Sequence, residues 1–305
     1  MTDTMLPGPA AGLPGPAAGE IAETSRPWVL IVQSFLDNKI ALLGVVLVVM
    51  IIGFCFIGPL FYHTNQVSPN LVQLNKPPSA QHPLGTDYVG FDILGRLMAG
   101  GQSSIEIGLA VAVLATSFGV LWGAVSGYFG GALDSAMMRV VDIVLAIPAL
   151  FIFIYLATVF RPTVVLLIVV VSALSWVGPA RLVRGETLSL RVREYVQAVR
   201  VMGGSSSRMI FRHVIPNTVS TIVVNATFQV ADAVLILATL SFLGFGLPPP
   251  AATWGGMLTN GANYLYEGYW WEIYPAGFII VFTVVAFNFI GDGLRDALEV
   301  RLQRR

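Results

Sequence analysis

Charged residues are scarce in this sequence. Lys, Arg, Asp and Glu make up 11% of its 305 residues, whereas a soluble domain carries roughly 25%. Hydrophobic residues make up 55%, and so few charges could not cover the surface of a water-soluble chain of this length. The composition therefore excludes an ordinary soluble protein and indicates a polytopic membrane protein.

Several other residue types and motifs are rare or absent. Cysteine occurs once, so Cys55 cannot form an internal disulfide and is expected to be a small buried hydrophobic residue. The 17 basic and 17 acidic residues cancel, so a nucleic-acid partner is not expected. The sequence contains no G-x-x-x-x-G-K-[ST] run that would bind nucleotide, and His63, His82 and His213 are too scattered to predict a metal site. We therefore expect no catalytic residues, no cofactor in this chain and no bond chemistry.

Six charge-poor windows are long enough to cross a bilayer, which takes about 20 residues as a helix. They lie at 40–62, within 107–133, and at 143–160, 162–180, 220–243 and 274–291. The predicted fold class is therefore all-α, with six transmembrane helices. On the second span, small residues recur three or four positions apart, which favours ordinary close helix packing; they are Ala112, Thr116, Gly119, Gly123 and Gly127.

The basic residues predict the orientation of these spans. If the N-terminus is inside, 14 of the 17 Lys and Arg residues fall in cytoplasmic segments, and only Lys76, Arg96 and Arg161 fall outside. Both termini are therefore expected to be cytoplasmic. Residues 1–37 comprise a Pro/Gly/Ala-rich extension, which repeats LPGPAAG and is predicted to be disordered, and a cytoplasmic lead-in. No cleaved signal peptide is expected.

Two longer segments are predicted to lie outside. Residues 38–104 hold the first span and an external segment, where Ile93, Leu97 and Met98 recur opposite Asp92 and Arg96. This pattern predicts a short amphipathic helix in the outer interface. The second outer segment, 245–273, is rich in aromatic residues that suit a membrane-interface belt, with docking of an outside partner as the alternative. They are Trp254, Tyr264, Tyr266, Tyr269, Trp270, Trp271 and Tyr274.

Residues 105–305 form the predicted core, and its loop at 181–217 is the most informative segment. The loop carries seven Arg against two Glu. We expect a helix over 184–202, a turn at Gly203, and a short second helix that one of the serines 205–207 caps and Pro216 ends. Met209, Ile210 and Phe211 are expected to be exposed on that second helix. The pattern alone leaves open a helix lying on the membrane or a plug that fits a groove in a cytoplasmic partner.

The sequence EYVQAVRVMGGSSSRMIFRHVIPN at 194–217 closely resembles the EAA-type loop of binding-protein-dependent ABC importer permeases. In that family the loop docks on the ATPase subunit. The resemblance implies a docking surface made of Glu194, Ala198, Gly203, Arg208, Ile210, Phe211, Arg212, Ile215 and Pro216.

Two further stretches, HPLGTDYVGFDILGRL at 82–97 and LSFLGFGLPPPAATWGGML at 240–258, together with AFNFIGDGLRDAL at 286–298, look like the C-type permease of dipeptide, oligopeptide and nickel importers. This resemblance implies a type I ABC importer permease in the bacterial plasma (inner) membrane, surrounded by membrane lipid. The implied partners are a second permease in a heterodimer, two ABC ATPase subunits or domains that bind ATP and Mg, and an external substrate-binding protein. The implied cargo is a dipeptide or oligopeptide.

The alternatives are a permease for nickel or another small solute, or a secondary transporter or channel. Transporters of that other class usually bury several ionisable residues within the membrane, and here only Asp232 qualifies. Asn225 and Gln229 share its helix face by spacing. We expect these three residues to face a translocation cavity between permeases, with interhelical hydrogen bonding as the alternative.

Overall fold

The computed structural model describes residues 27–303, which are predominantly helical, so the all-α prediction is confirmed. The repeat predicted to be disordered lies outside these residues, whereas the end of the predicted lead-in forms a helix. The α-helices are α1 (Pro27–Asp37), α2 (Lys39–Ile52), α3 (Gly58–Phe61), α4 (Ile93–Phe129), α5 (Gly131–Ala146), α6 (Ala149–Val159), α7 (Val164–Ser175), α8 (Val177–Leu190), α9 (Glu194–Val201), α10 (Ser206–Met209), α11 (Val219–Leu240), α12 (Trp254–Tyr264) and α13 (Tyr274–Gln303). Three π-helical turns join or extend them, at Gly53–Ile57, Ile210–Val214 and Ser241–Phe245.

Five helical stretches are each long and apolar enough to cross a membrane: Lys39–Phe61, Ile93–Phe129, Val164–Leu190, Val219–Phe245 and Trp270–Leu298. A sixth crossing exists if α5 and the first part of α6 are counted as one span, although they are bent by 73°. The sequence predicted a single uninterrupted helix there. Pro148 explains the bend, because a proline disfavours helical backbone in the residue before it, and Ile147 is extended (φ −96°, ψ 122°).

Helix α4 is longer than the sequence predicted. It runs without interruption for 37 residues from Ile93, and the Asp92 side chain accepts a hydrogen bond from the Gly95 amide (2.8 Å) at its start. The prediction of a separate amphipathic helix in the outer interface is wrong, because these first turns are buried in the protein. The segment before α12 covers them, and the Trp254 indole donates to the Leu97 carbonyl (2.9 Å).

Helix α4 also runs through the packed interior of the chain. It contributes Leu97 to a cluster with Trp254 and Trp271, and Val111 to a second cluster with residues of α7 and α11. Further along it adds Ala115 to a third cluster and Ala124 to a fourth. Helices α7, α8 and α11 are therefore held around α4, whereas α1 and α2 pack mainly on α13.

The small residues of α4 allow close approach to α8. A Cβ on Gly123 would lie 2.3 Å from the Ala180 carbonyl oxygen, and one on Gly119 would lie 2.5 Å from the Trp176 carbonyl oxygen. Both distances are far shorter than a normal carbon–oxygen contact, so only glycine fits. The interpretation of the stripe as ordinary helix packing is confirmed.

The aromatic residues of the second outer segment differ in burial, and Tyr264 and Tyr269 are half-buried. Trp254 and Trp271 are buried, so their placement in an interface belt is wrong. Burial follows because each indole has an internal partner: that of Trp271 donates to the Thr86 carbonyl (3.3 Å). Tyr266, Trp270 and Tyr274 remain exposed and stay candidates for the belt or for a partner.

The segment between α3 and α4 is held by the carboxylate that begins α4. One oxygen of Asp92 accepts from the Tyr62 hydroxyl (2.8 Å) and contacts the His82 ring nitrogen Nδ1 (2.8 Å). The other oxygen caps α4. This segment is therefore fixed against the end of α4, where it borders a cavity described below.

Candidate functional site

The loop at 181–217 folds as two helical pieces around a glycine turn. Helix α8 ends at Leu190, residues 191–193 break the chain, and α9 begins at Glu194. The single helix predicted over 184–202 is therefore divided, and the Arg193 backbone is extended before α9. Gly203 takes the predicted turn, with a left-handed φ of +82° that disfavours residues with a side chain.

The second piece begins at α10. The Ser205 hydroxyl accepts from the Arg208 amide (3.3 Å), which confirms a serine cap. The helix continues as the π turn Ile210–Val214 and ends in the 3₁₀ turn Ile215–Asn217, which contains Pro216. The predicted order of helix, glycine turn and short helix is confirmed.

Only part of the second piece is exposed. Met209 and Ile210 are buried (0% and 5% exposed), so the prediction that they face outward is wrong. Ile210 packs with Val214 against Val120 of α4 and Val183 of α8. The sequence pattern marked these residues as apolar but did not say which side of the short helix meets the protein.

The exposed residues of the loop form the candidate docking surface. Phe211 is 59% exposed, and Val201 and Met202 on either side of the end of α9 are 87% and 78% exposed. The docking surface that the resemblance implied did not include Val201 and Met202, although their position directly before the glycine turn could have indicated that they are exposed there. Among the residues that the resemblance implied, those that remain exposed are Glu194, Ala198, Gly203, Arg208, Phe211, Arg212 and Pro216, while Ile215 is half-buried.

Ion pairs tie the start of this loop to the neighbouring helix α5. Arg184 donates to both carboxylate oxygens of Asp134 (2.6 and 2.7 Å), which is the bidentate geometry that guanidinium groups favour. Arg181, also on α8, donates to the carboxylate of Asp142 on α5 (2.5 Å). Sequence reasoning counted these arginines only as positive charges on the inner side. Their partners lie about 40 to 50 residues earlier in the chain, beyond the reach of local patterns.

The three polar residues of α11 have different environments. Asp232 is exposed and makes no hydrogen bond within residues 27–303, Gln229 is buried (7% exposed), and Asn225 is half-buried with an unpartnered side-chain oxygen. Residues 27–303 therefore offer Asp232 no interhelical partner. Asp232 itself is exposed to whatever lies beside α11 in the membrane.

The arrangement suits movement rather than chemistry. The loop is anchored on one side by Ile210 and the arginine ion pairs and presents an exposed apolar edge on the other. Within the described part of the chain, no group of three His, Cys, Asp or Glu residues is placed to hold a metal ion. The fold and the loop define a multi-pass helical membrane protein with a structured loop outside the apolar spans.

The sequence belongs to a known family of such proteins. Residues 119–304 match the family described as the binding-protein-dependent transport system inner membrane component. Residues 26–78 match the N-terminal TM domain of oligopeptide transport permease C. Because the first match covers more than half of the chain, the protein belongs to the family of binding-protein-dependent transport system inner membrane components, and it is a membrane-embedded permease subunit.

Similar proteins are named as peptide permeases. The oligopeptide transport system permease protein OppC of Bacillus subtilis (strain 168) is 41% identical over 270 residues, which cover 88% of each chain. The dipeptide transport system permease protein DppC of the same organism is 37% identical, over 88% of this chain and 83% of the relative. The OppC protein of Escherichia coli (strain K12) is 38% identical, over 88% and 89%.

Proposed function

We propose that this chain is a permease subunit of an ATP-driven importer, and that it forms, with a second permease, the path by which dipeptides or oligopeptides cross the inner membrane. The observation that carries the proposal is the 41% identity to an oligopeptide permease over 88% of both chains. The anchored loop supports it, because an importer driven by a separate ATPase needs a rigid contact on the membrane subunit.

The proposed partners follow from the exposed surfaces. The apolar edge formed by Val201, Met202 and Phe211 is the contact for an ATPase subunit or domain, two of which serve the permease pair. Its exposed side chains would lose water contact on docking, which favours association. The exposed face of α11 with Asp232 is the side proposed to meet the second permease or the cavity between the two subunits. An external binding protein would deliver the peptide.

In this mechanism, ATP and Mg bind to the ATPase subunits and not to this chain. Closure of the ATPase pair displaces the docked loop. Because Arg184 and Arg181 pair with Asp134 and Asp142, α5 follows α8, and access to the cavity changes from one side of the membrane to the other. The 14 basic residues counted on the side of the loop support cytoplasmic positions for the loop and both termini.

The direct test is reconstitution of the complete complex in vesicles. We expect the ATPase subunit to copurify with this chain, and peptide uptake to require ATP and the external binding protein. A nickel salt and a panel of small solutes serve as competing cargoes. Uptake that persists without ATP, or a chain that retains no ATPase subunit, would reject the importer in favour of a secondary transporter or channel.

A further inference from the structure

A cavity lies at the end of α4 opposite the docking loop. Its volume is about 380 Å³, within the range of roughly 300–1,000 Å³ that small-molecule sites occupy. It opens between the first turn of α4, the segment at 244–253 and the residues before α13. Its charged lining residues are Asp87, Arg96 and Glu272, beside the ring of Tyr88.

Two of the three charged groups have partners. One oxygen of Asp87 accepts from the amides of Val89 (3.0 Å) and Phe91 (2.8 Å), and the other faces the Arg96 guanidinium at 3.9 Å. Arg96 donates to the Pro250 carbonyl (2.7 Å) and lies 4.1 Å from the centre of the Phe91 ring. Burial raises the pKa of Asp87, while these amides and the guanidinium act against that rise.

Glu272 has no such partners. The residue is 2% exposed, and neither of its carboxylate oxygens makes a hydrogen bond of normal geometry, although the Tyr88 amide lies near enough to act against the rise in its pKa. Its backbone packs closely against α12, because a Cβ on Gly261 would lie 2.6 Å from the Glu272 carbonyl oxygen. A buried carboxylate is normally paired with a hydrogen-bond donor, because an isolated carboxylate is unfavourable away from water. Glu272 is therefore expected to meet a donor from a ligand.

The surroundings indicate the charge of the missing partner. Two carboxylates and one guanidinium line the cavity, and burial, together with the negative charge of Asp87, raises the pKa of Glu272 to about 8. A cation beside Glu272 would favour its charged form. Tyr88 stacks on Tyr264 with ring centres 5.4 Å apart, which gives the site an aromatic side of the kind that attracts ammonium groups. A metal ion is disfavoured, because among residues 27–303 no three acidic, His or Cys side chains come together as ligands.

We propose that this cavity binds the protonated amino group of a small peptide, with Glu272 as its counter-ion. The identity of the cargo rests on the proposed function. The ammonium supplies the donors that both Glu272 oxygens lack, and Thr259 and Asn260 in the cavity wall lie beside the space for the rest of the peptide.

The test measures binding to the purified permease complex in lipid nanodiscs without the external binding protein. Radiolabelled alanyl-alanine is the probe, and N-acetyl-alanyl-alanine, which lacks the ammonium group, is its matched analogue. We expect acetylation to weaken binding by about tenfold or more, the equivalent of one hydrogen-bonded charge. Equal binding of the two probes, or no saturable binding of alanyl-alanine, would overturn the proposal.

A pair of variants locates the effect. Glu272→Gln keeps the shape and removes the charge, and we expect it to weaken alanyl-alanine binding by about the same factor as acetylation. Glu267→Gln removes an exposed acid from the same segment and should bind within about twofold of the unaltered protein. Unchanged binding by Glu272→Gln would mean that the acid is only structural and would reject the site. If this variant fails to assemble, the comparison of the two probes on the unaltered protein still decides.

The proposed function is tested separately. Peptide uptake by the unaltered complex with its binding protein does not depend on where the ammonium binds. Uptake combined with indifference to acetylation in the nanodisc assay would reject this cavity and retain the importer. Absence of uptake combined with Glu272-dependent binding would reject the importer and retain the ammonium site.

Discussion

The turn at Gly203 allows a graded test of the docking surface. Its φ of +82° lies in the left-handed region, and its amide donates to the Arg200 carbonyl (3.0 Å). That conformation costs a residue with a side chain about 1–2 kcal/mol. A Cβ at Gly203 would meet no atom within 4 Å, so the whole cost comes from the backbone and none from a clash.

This cost translates into a ranking of variants. Gly203→Ala should lower the population of the native turn by about tenfold. Gly203→Asn should lower this population less, because Asn tolerates left-handed backbone. Gly203→Val should lower it more, because Val is β-branched. Peptide-stimulated ATPase activity and uptake in proteoliposomes should fall in the order Gly, Asn, Ala, Val. The yield of this chain in the membrane should stay near normal, because a Cβ at Gly203 meets no atom of the described residues.

The matched control is Gly185→Ala. This glycine lies inside α8, a Cβ there also meets nothing, and its backbone is not left-handed. Alanine is favoured over glycine in a helix by about 1 kcal/mol, so coupling should be retained. If all Gly203 variants couple normally, or if Gly185→Ala impairs coupling as much as Gly203→Ala, the turn does not set the docking surface.

Three other predictions can be checked independently. Gly123→Ala should lower the melting temperature of the purified complex, because its Cβ would lie 2.3 Å from a carbonyl of α8 and overpacking costs about 1–3 kcal/mol; Gly178→Ala, where a Cβ meets nothing, should not. In a cysteine-free background, Ser205→Cys should be labelled only from the cytoplasm and Val72→Cys, which is 85% exposed at its site, only from outside; the reverse pattern would reject the proposed orientation. Asp232→Asn should slow uptake without lowering the yield of the complex, since Asp232 has no partner within the described residues. Normal uptake would exclude a role for Asp232 in the translocation cavity between the two permeases.

Much of the fold was predictable because crossing a membrane requires long apolar windows. Each of the six windows contains a helix, and the serine cap and the left-handed glycine of the loop could be identified from their local chemistry. The bend at Pro148 was not predicted, because a proline within an apolar window is compatible with either a kink or a complete break.

Other features depended on contacts between residues far apart in sequence. Arg96 looked like a surface charge until its hydrogen bond to Pro250, 154 residues away, placed it inside the protein. The burial of Met209 and Ile210 depends on where α4 and α8 pass. Glu272 stands in an aromatic stretch that gives no sign of enclosure, and only the fold brings Asp87 and the wall of the cavity to it. The chemical types of the residues in the candidate site could therefore be read from the sequence, but their burial and their contacts could not.

The uninterrupted length of α4 has a geometric consequence. At about 1.5 Å per residue, roughly 40 Å of helix separates Arg96 from Ala124, more than the bilayer's hydrocarbon thickness of about 30 Å. Ala124 packs in the same cluster as Ile210 of the loop, and Arg96 lines the distant cavity. A stiff rod of this length acts as a lever arm: a tilt of about 5° at one end moves the other by roughly 3.5 Å. If the segment that carries Pro250 stays in place, a displacement of this size stretches the 2.7 Å bond from Arg96 to Pro250 well beyond hydrogen-bonding distance, so a small rotation at the loop would be felt on the far side of the membrane.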